Sequence, residues 1–97
     1  MKISKTVIRK IVEHAKGEAP LEACGYLAGK DNAITQIYAL TNIDKSREHF
    51  SFDPKEQFSS VNNARAKGLE MRAVYHSHPA SPARPSLEDI KWHMIRR

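Results

Sequence analysis

The chain has 97 residues, with 16 lysines and arginines against 11 acids, a net charge of +5, and 40% hydrophobic against 28% charged residues. These figures fit one soluble domain spanning residues 1–97 and exclude a disordered chain. No apolar run can cross a bilayer, no secretion core follows Met1–Lys5, and the single cysteine, Cys24, closes no internal disulfide, so the cytoplasm is the expected location.

In chain order, residues 4–16 predict a helix. Val7, Ile8, Ile11, Val12 and Ala15 form one stripe, with Ser4 as the cap and Gly17 as the stop. Residues 22–29 and 33–41 predict two strands joined by Lys30-Asp31-Asn32 as a hairpin. A polar loop over 42–48 leads to an alternating third strand at His49-Phe50-Ser51-Phe52. Asp53-Pro54-Lys55-Glu56 opens a second helix, expected to carry Phe58, Val61 and Ala64 inward and to end at Gly68. A strand over about 70–77 follows, then a loop stiffened by Pro79, Pro82 and Pro85, and a last helix opened by Ser86. The expected fold is α/β, a mixed β-sheet flanked by helices in the order α-β-β-β-α-β-α, with neither repeats nor low-complexity tracts.

The densest chemistry lies in His76-Ser77-His78-Pro79, with Asp89 eleven positions past His78. Residues i and i+2 of a strand share a face, so the two imidazoles can grip one metal ion, and Asp89 can close the site across the proline loop. Three such protein ligands leave a fourth tetrahedral position for water, the pattern of a catalytic zinc site. A competing explanation for Asp89 is the Ser86-Leu87-Glu88-Asp89 capping box, in which Ser86 caps a helix. Glu22 heads an otherwise apolar strand; it is either an exposed strand end or a general base toward water at the metal. Cys24, flanked by Ala23, Gly25 and Tyr26, reads as a small buried thiol, and His14, His49 and His93 as ordinary surface or hydrogen-bonded core histidines. The 79–85 proline run could serve a partner domain, but fixing the loop before Asp89 is the simpler role.

Other chemistries lack their motifs. There is no H-E-x-x-H helix, no H-x-E with P-C-x-x-C, and no glycine-rich phosphate loop. The basic residues are scattered apart from Arg96-Arg97, without the aromatic interleaving of a nucleic-acid groove, so the charge suggests an acidic protein partner.

Glu22, His76-Ser77-His78-Pro79 and Ser86-Leu87-Glu88-Asp89 together resemble the signature of the JAMM, or MPN+, metalloproteases of the Mov34/MPN group. The similarity runs from about residue 3 onward and includes Leu21–Gly29 and Phe50-Ser51-Phe52-Asp53-Pro54. The resemblance implies that His76, His78 and Asp89 hold zinc, that Glu22 is the general base, and that Ser86 supports the oxyanion. It implies hydrolysis of a peptide or isopeptide bond at the C-terminus of a ubiquitin-like or sulfur-carrier protein, with no nucleic acid and no membrane involved. A small carrier is expected rather than polyubiquitin, because the short chain has no room for the loops that grip ubiquitin. Family domains continue with further sheet and helix after the Asp-bearing helix, so the C-terminal part is expected to be absent here. The alternative is a non-catalytic MPN-like interaction domain.

Overall fold

The computed structural model describes residues 2–46, 49–78 and 90–95. Their elements are β1 (Lys2–Ile3), α1 (Lys5–Glu18), β2 (Cys24–Lys30), β3 (Ala33–Leu40), α2 (Pro54–Ala66), β4 (Glu70–Ser77) and β5 (Ile90–Met94). The strands form one mixed sheet in the order β1-β3-β2-β4-β5, parallel between β1 and β3 and antiparallel elsewhere.

Helix α1 forms as its stripe predicts. The Ser4 hydroxyl accepts from the Val7 N–H, and Val7, Ile11 and Ala15 are buried. They pack against Leu27, Ile34, Ala73, Tyr75 and Ile90 from one face of the sheet. Gly17 does not stop the helix; it lies inside it, and Ala19 is the C-cap. The hairpin between β2 and β3 turns at Asp31, whose φ of 57° is the left-handed conformation that aspartate tolerates.

Further expectations are corrected. His49–Phe52 forms no strand among the described residues; its ladder contact is a single bridge between Asn42 and Phe52. The loop's polar groups are drawn instead to the Asn42 carboxamide, which bonds the His49 carbonyl and accepts from the Ser51 N–H. Phe58 does not point inward but is 70% exposed, while Ser60 and Ala64 face the sheet. Helix α2 docks by polar contacts that set this rotation: Gln57 donates to Tyr26 Oη, Tyr38 Oη donates to Asn63, and Glu56 accepts from the Thr41 N–H and hydroxyl. Glu56 is thereby used across the structure rather than for a capping box, although Asp53 does cap Lys55.

The last correction is at the C-terminal end. Residues 90–94 are a strand, not part of the helix expected from Ser86. Without β5, strand β4 would expose a row of unpaired N–H and C=O groups. Pairing with β4 satisfies them and seats Ile90 in the core, and Ile and Trp suit a pleated surface. Ser86 and Asp89, with the start of that helix, lie outside the described residues. Among the described residues the order is therefore β-α-β-β-α-β-β, within the mixed α/β class.

Candidate active site

The site lies at the β2 and β4 ends, on the sheet face opposite α1. Cys24 pairs with His76 and Gly25 with Tyr75. Alternation then sends Cys24, Tyr26, Val74 and His76 to one face and Gly25, Leu27, Ala73 and Tyr75 to the other. Gly25 is required here, because a Cβ would meet the Tyr38 carbonyl oxygen and the Tyr75 ring.

Ser77, between the two histidines, locks the strand ends together. Its N–H donates to the Ala23 carbonyl at 2.9 Å, and its hydroxyl accepts from the Ala23 N–H at 2.7 Å. These bonds carry the β2–β4 pairing past Cys24 and bring Glu22 beside the histidines. The loop after β3 clamps Glu22 from the other side. The Glu22 N–H donates to the Ser46 carbonyl, and Asn42 Nδ2 donates to the Glu22 carbonyl at 3.0 Å. Asn42 Oδ1 in turn accepts from the Asp44 N–H, so this buried amide organises the loop around Glu22.

Glu22 is 1% exposed, which rules out an exposed strand end. One carboxylate oxygen lies against His76 Nδ1, and the other stands 3.7 Å from His78 Nδ1. The first contact is close but poorly directed. Neither Glu22 Oε2 nor His76 Nδ1 makes a well-aligned hydrogen bond with any described residue. A buried carboxylate oxygen normally has partners, so its lack of one beside two imidazoles suits a cation or a reacting proton. The donor set fits zinc, which takes imidazole nitrogen and carboxylate oxygen. Among the described residues no three such side chains enclose a cation. Asp89, the third expected ligand, lies outside them.

Around His76 the walls are aromatic. Phe50 packs on its ring at a centroid separation of 4.9 Å, and Phe52 packs on both Phe50 and Tyr26. His78 is exposed at the mouth. Cys24 is fully buried, and burial, aided by nearby carboxylates led by Glu22, pushes its thiol up to about 12. A neutral, enclosed thiol suits packing rather than nucleophilic attack.

Of the histidines read as ordinary, His14 bonds Tyr75 Oη and His49 bonds Asp44. His93 differs: its Nε2 stands 3.0 Å from His76 Nε2. A lone histidine carries no local motif, and the only available sequence signal was its place four residues after Asp89. Phe50 and Asn42 were also missed, since both reach the site only through the fold.

The chain is similar to several known proteins. The model of a family described as prokaryotic homologs of the JAB domain matches residues 4–93. A Pyrococcus furiosus desampylase is 34% identical over 71 residues, covering 73% of this chain and 51% of the relative. A Mycobacterium tuberculosis CysO-cysteine peptidase is 35% identical over 92 residues, covering 92% of this chain and 62% of the relative. The chain thus spans between half and two-thirds of the length of these curated relatives. The solution structure of Desulfitobacterium hafniense protein DSY2949 superimposes with a TM-score of 0.75 at 43% identity, covering 91% of this chain and 63% of that one.

Proposed function

The chain belongs to the family of prokaryotic homologs of the JAB domain, and on that premise we propose that it is a zinc-dependent peptidase or isopeptidase. The bond it cleaves joins the C-terminus of a ubiquitin-like or sulfur-carrier protein to its partner. One observation carries the reading: Glu22, a buried carboxylate with one oxygen that makes no hydrogen bond among the described residues, lies between His76 and His78. The printed names of the relatives, a desampylase and a CysO-cysteine peptidase, support the substrate class.

In this proposal His76, His78 and Asp89 hold the metal. A zinc ion there would polarise the scissile carbonyl and acidify a water, so that hydrolysis proceeds near neutral pH. Glu22 accepts the proton of the attacking water and returns it to the departing amine. Its burial and its clamp by Asn42 and Ser46 keep the carboxylate aimed at one place. Ser86 donates a hydrogen bond to the developing oxyanion. The aromatic wall of Phe50 and Phe52 excludes water from one side of His76 and strengthens the electrostatics there. Among the described residues no helix is long and apolar enough to cross a membrane. The cytoplasm remains the proposed location, on the single buried cysteine.

The test is zinc per chain by elemental analysis, on protein purified without chelator, beside His78→Ala. The expected result is about one zinc in the parent and little in the variant, with a chelator stopping cleavage of a sulfur-carrier conjugate. No zinc in either, even after the metal is supplied, and no cleavage would overturn the reading in favour of a non-catalytic MPN-like interaction domain.

A further inference from the structure

The β2–β3 ladder ends at the pair Cys24 and Leu40. Continued by two residues in each strand, that register would set Asn42 opposite Glu22. The Asn42 side chain takes over where the backbone ladder stops. Its Nδ2 donates to the Glu22 carbonyl and to the His49 carbonyl, both at 3.0 Å, with the Ser46 carbonyl farther off at 3.5 Å. Its Oδ1 accepts from the Asp44 N–H at 3.1 Å and from the Ser51 N–H at 3.3 Å. A carboxamide has two donor hydrogens and two acceptor lone pairs, so every capacity of this buried group is used. The bonds to His49 and Ser51 flank Phe50, whose ring packs on His76. One amide thus holds the backbone of Glu22 and the peptide groups on either side of Phe50. Aspartate and leucine have nearly its shape, but neither has a donor.

We propose that Asn42 is a positioning residue for the hydrolysis, setting Glu22 and Phe50 against His76 as one unit. The inference rests on the peptidase reading above and deepens it, by coupling the aim of the base to the aromatic wall. Glu22 Oε2 makes no hydrogen bond among the described residues, so the carboxylate is aimed largely by the backbone that carries it. A general base must lie within hydrogen-bond reach of the proton it takes. A displacement of about 1 Å, caused away from the reacting atoms, can cost roughly 100-fold in rate.

The test uses the full zinc-loaded chain and a sulfur-carrier protein joined through its C-terminal glycine to a short peptide. Asn42→Asp keeps the shape and the acceptor oxygens but removes both donors. Its kcat is expected to fall roughly 10- to 100-fold, with KM and zinc per chain as in the parent. In a Glu22→Gln background the same change should cost little further, because Asn42 acts through the base. Asp44→Ala is the control. It removes the carboxylate that bonds His49 Nδ1 and the Ser51 hydroxyl in the same loop, yet leaves in place the backbone groups that Asn42 binds. Its kcat should match the parent. Two NMR readouts need neither metal nor substrate. The His76 ring protons should move in Asn42→Asp toward their positions in Phe50→Leu, and stay put in Asp44→Ala. In the parent, the Asn42 Nδ2 protons should exchange with water more slowly than those of Asn62, which is exposed on α2.

Parent-like kcat and His76 signals in Asn42→Asp overturn the proposal. An equal loss in Asp44→Ala also overturns it, since any loosening of the loop would then suffice. Exchange at Asn42 as fast as at Asn62 overturns it without any variant having to fold. Any of these, with Glu22→Gln inactive, refutes the role of Asn42 and leaves the peptidase reading standing. Glu22→Gln at the parent rate would refute the base itself.

Discussion

Tyr75 and His76 are neighbours on β4 but serve opposite faces of the sheet. Tyr75 is fully buried under α1, and its hydroxyl meets His14 Nδ1 at 2.7 Å. His14 Nε2 lies 3.6 Å from Glu18, one turn along the same helix. These groups thus partner one another, and Tyr75 belongs to the apolar cluster under the helix. One residue on, His76 faces a carboxylate that is equally buried but has one oxygen that makes no hydrogen bond among the described residues. The contrast separates two uses of buried polarity. A satisfied pair fastens a helix to a sheet, whereas an unsatisfied one beside a second imidazole costs stability and is kept for chemistry.

The largest expected effect falls on the site face. Glu22→Gln keeps the shape and removes the charge and the basicity. Hydrolysis of a sulfur-carrier conjugate should fall by roughly 100- to 10,000-fold, while zinc content holds and the melting temperature stays level or rises. Cleavage at the parent rate would remove Glu22 from its proposed role.

On the helix face the expectation reverses. Tyr75→Phe leaves His14 Nδ1 buried without its partner and should cost about 1–3 kcal/mol in urea unfolding. Zinc content should be unchanged, because the ring still packs. A neutral result would show that the pair is dispensable and weaken the contrast between the faces.

The smallest effect concerns pH. Burial lowers the pKa of His14 from its ordinary 6.5, against the opposing pull of Glu18. The unfolded chain therefore takes up this proton at a higher pH than the folded one. Stability from this residue is full above 6.5 and is lost as pH falls from 6.5 through the lowered folded value. In His14→Gln, that part of the acid-side decline should disappear from a series of denaturation curves. An unchanged slope would assign it to other groups.

Much of this was legible in local pattern. The α1 stripe requires only helical spacing, and Val7, Ile11 and Ala15 are buried as that spacing predicts. The face that His76 takes follows from strand alternation, although His78 lies just past the end of β4, and the β2–β3 hairpin follows from its turn residues. Phe58 shows where pattern fails. An aromatic residue in a helix suggests a core position, but α2 is rotated by hydrogen bonds to Tyr26, Tyr38 and Thr41, which lie far away in sequence. Residues 90–94 fail similarly, because helix or strand there depends on whether a sheet edge is open beside them.

By itself, then, the sequence determined the mixed α/β class, the first helix, the hairpin and the identity of the chemical groups, because these rest on short-range periodicity and turn chemistry. Only the tertiary structure decided that Glu22 is buried between His76 and His78, that Asn42 and Ser77 hold it there, and that His93 meets His76 from the edge strand. Those contacts join residues at least 17 apart in sequence, and long-range pairing is set by which faces and edges the packed sheet leaves available, which no local pattern encodes.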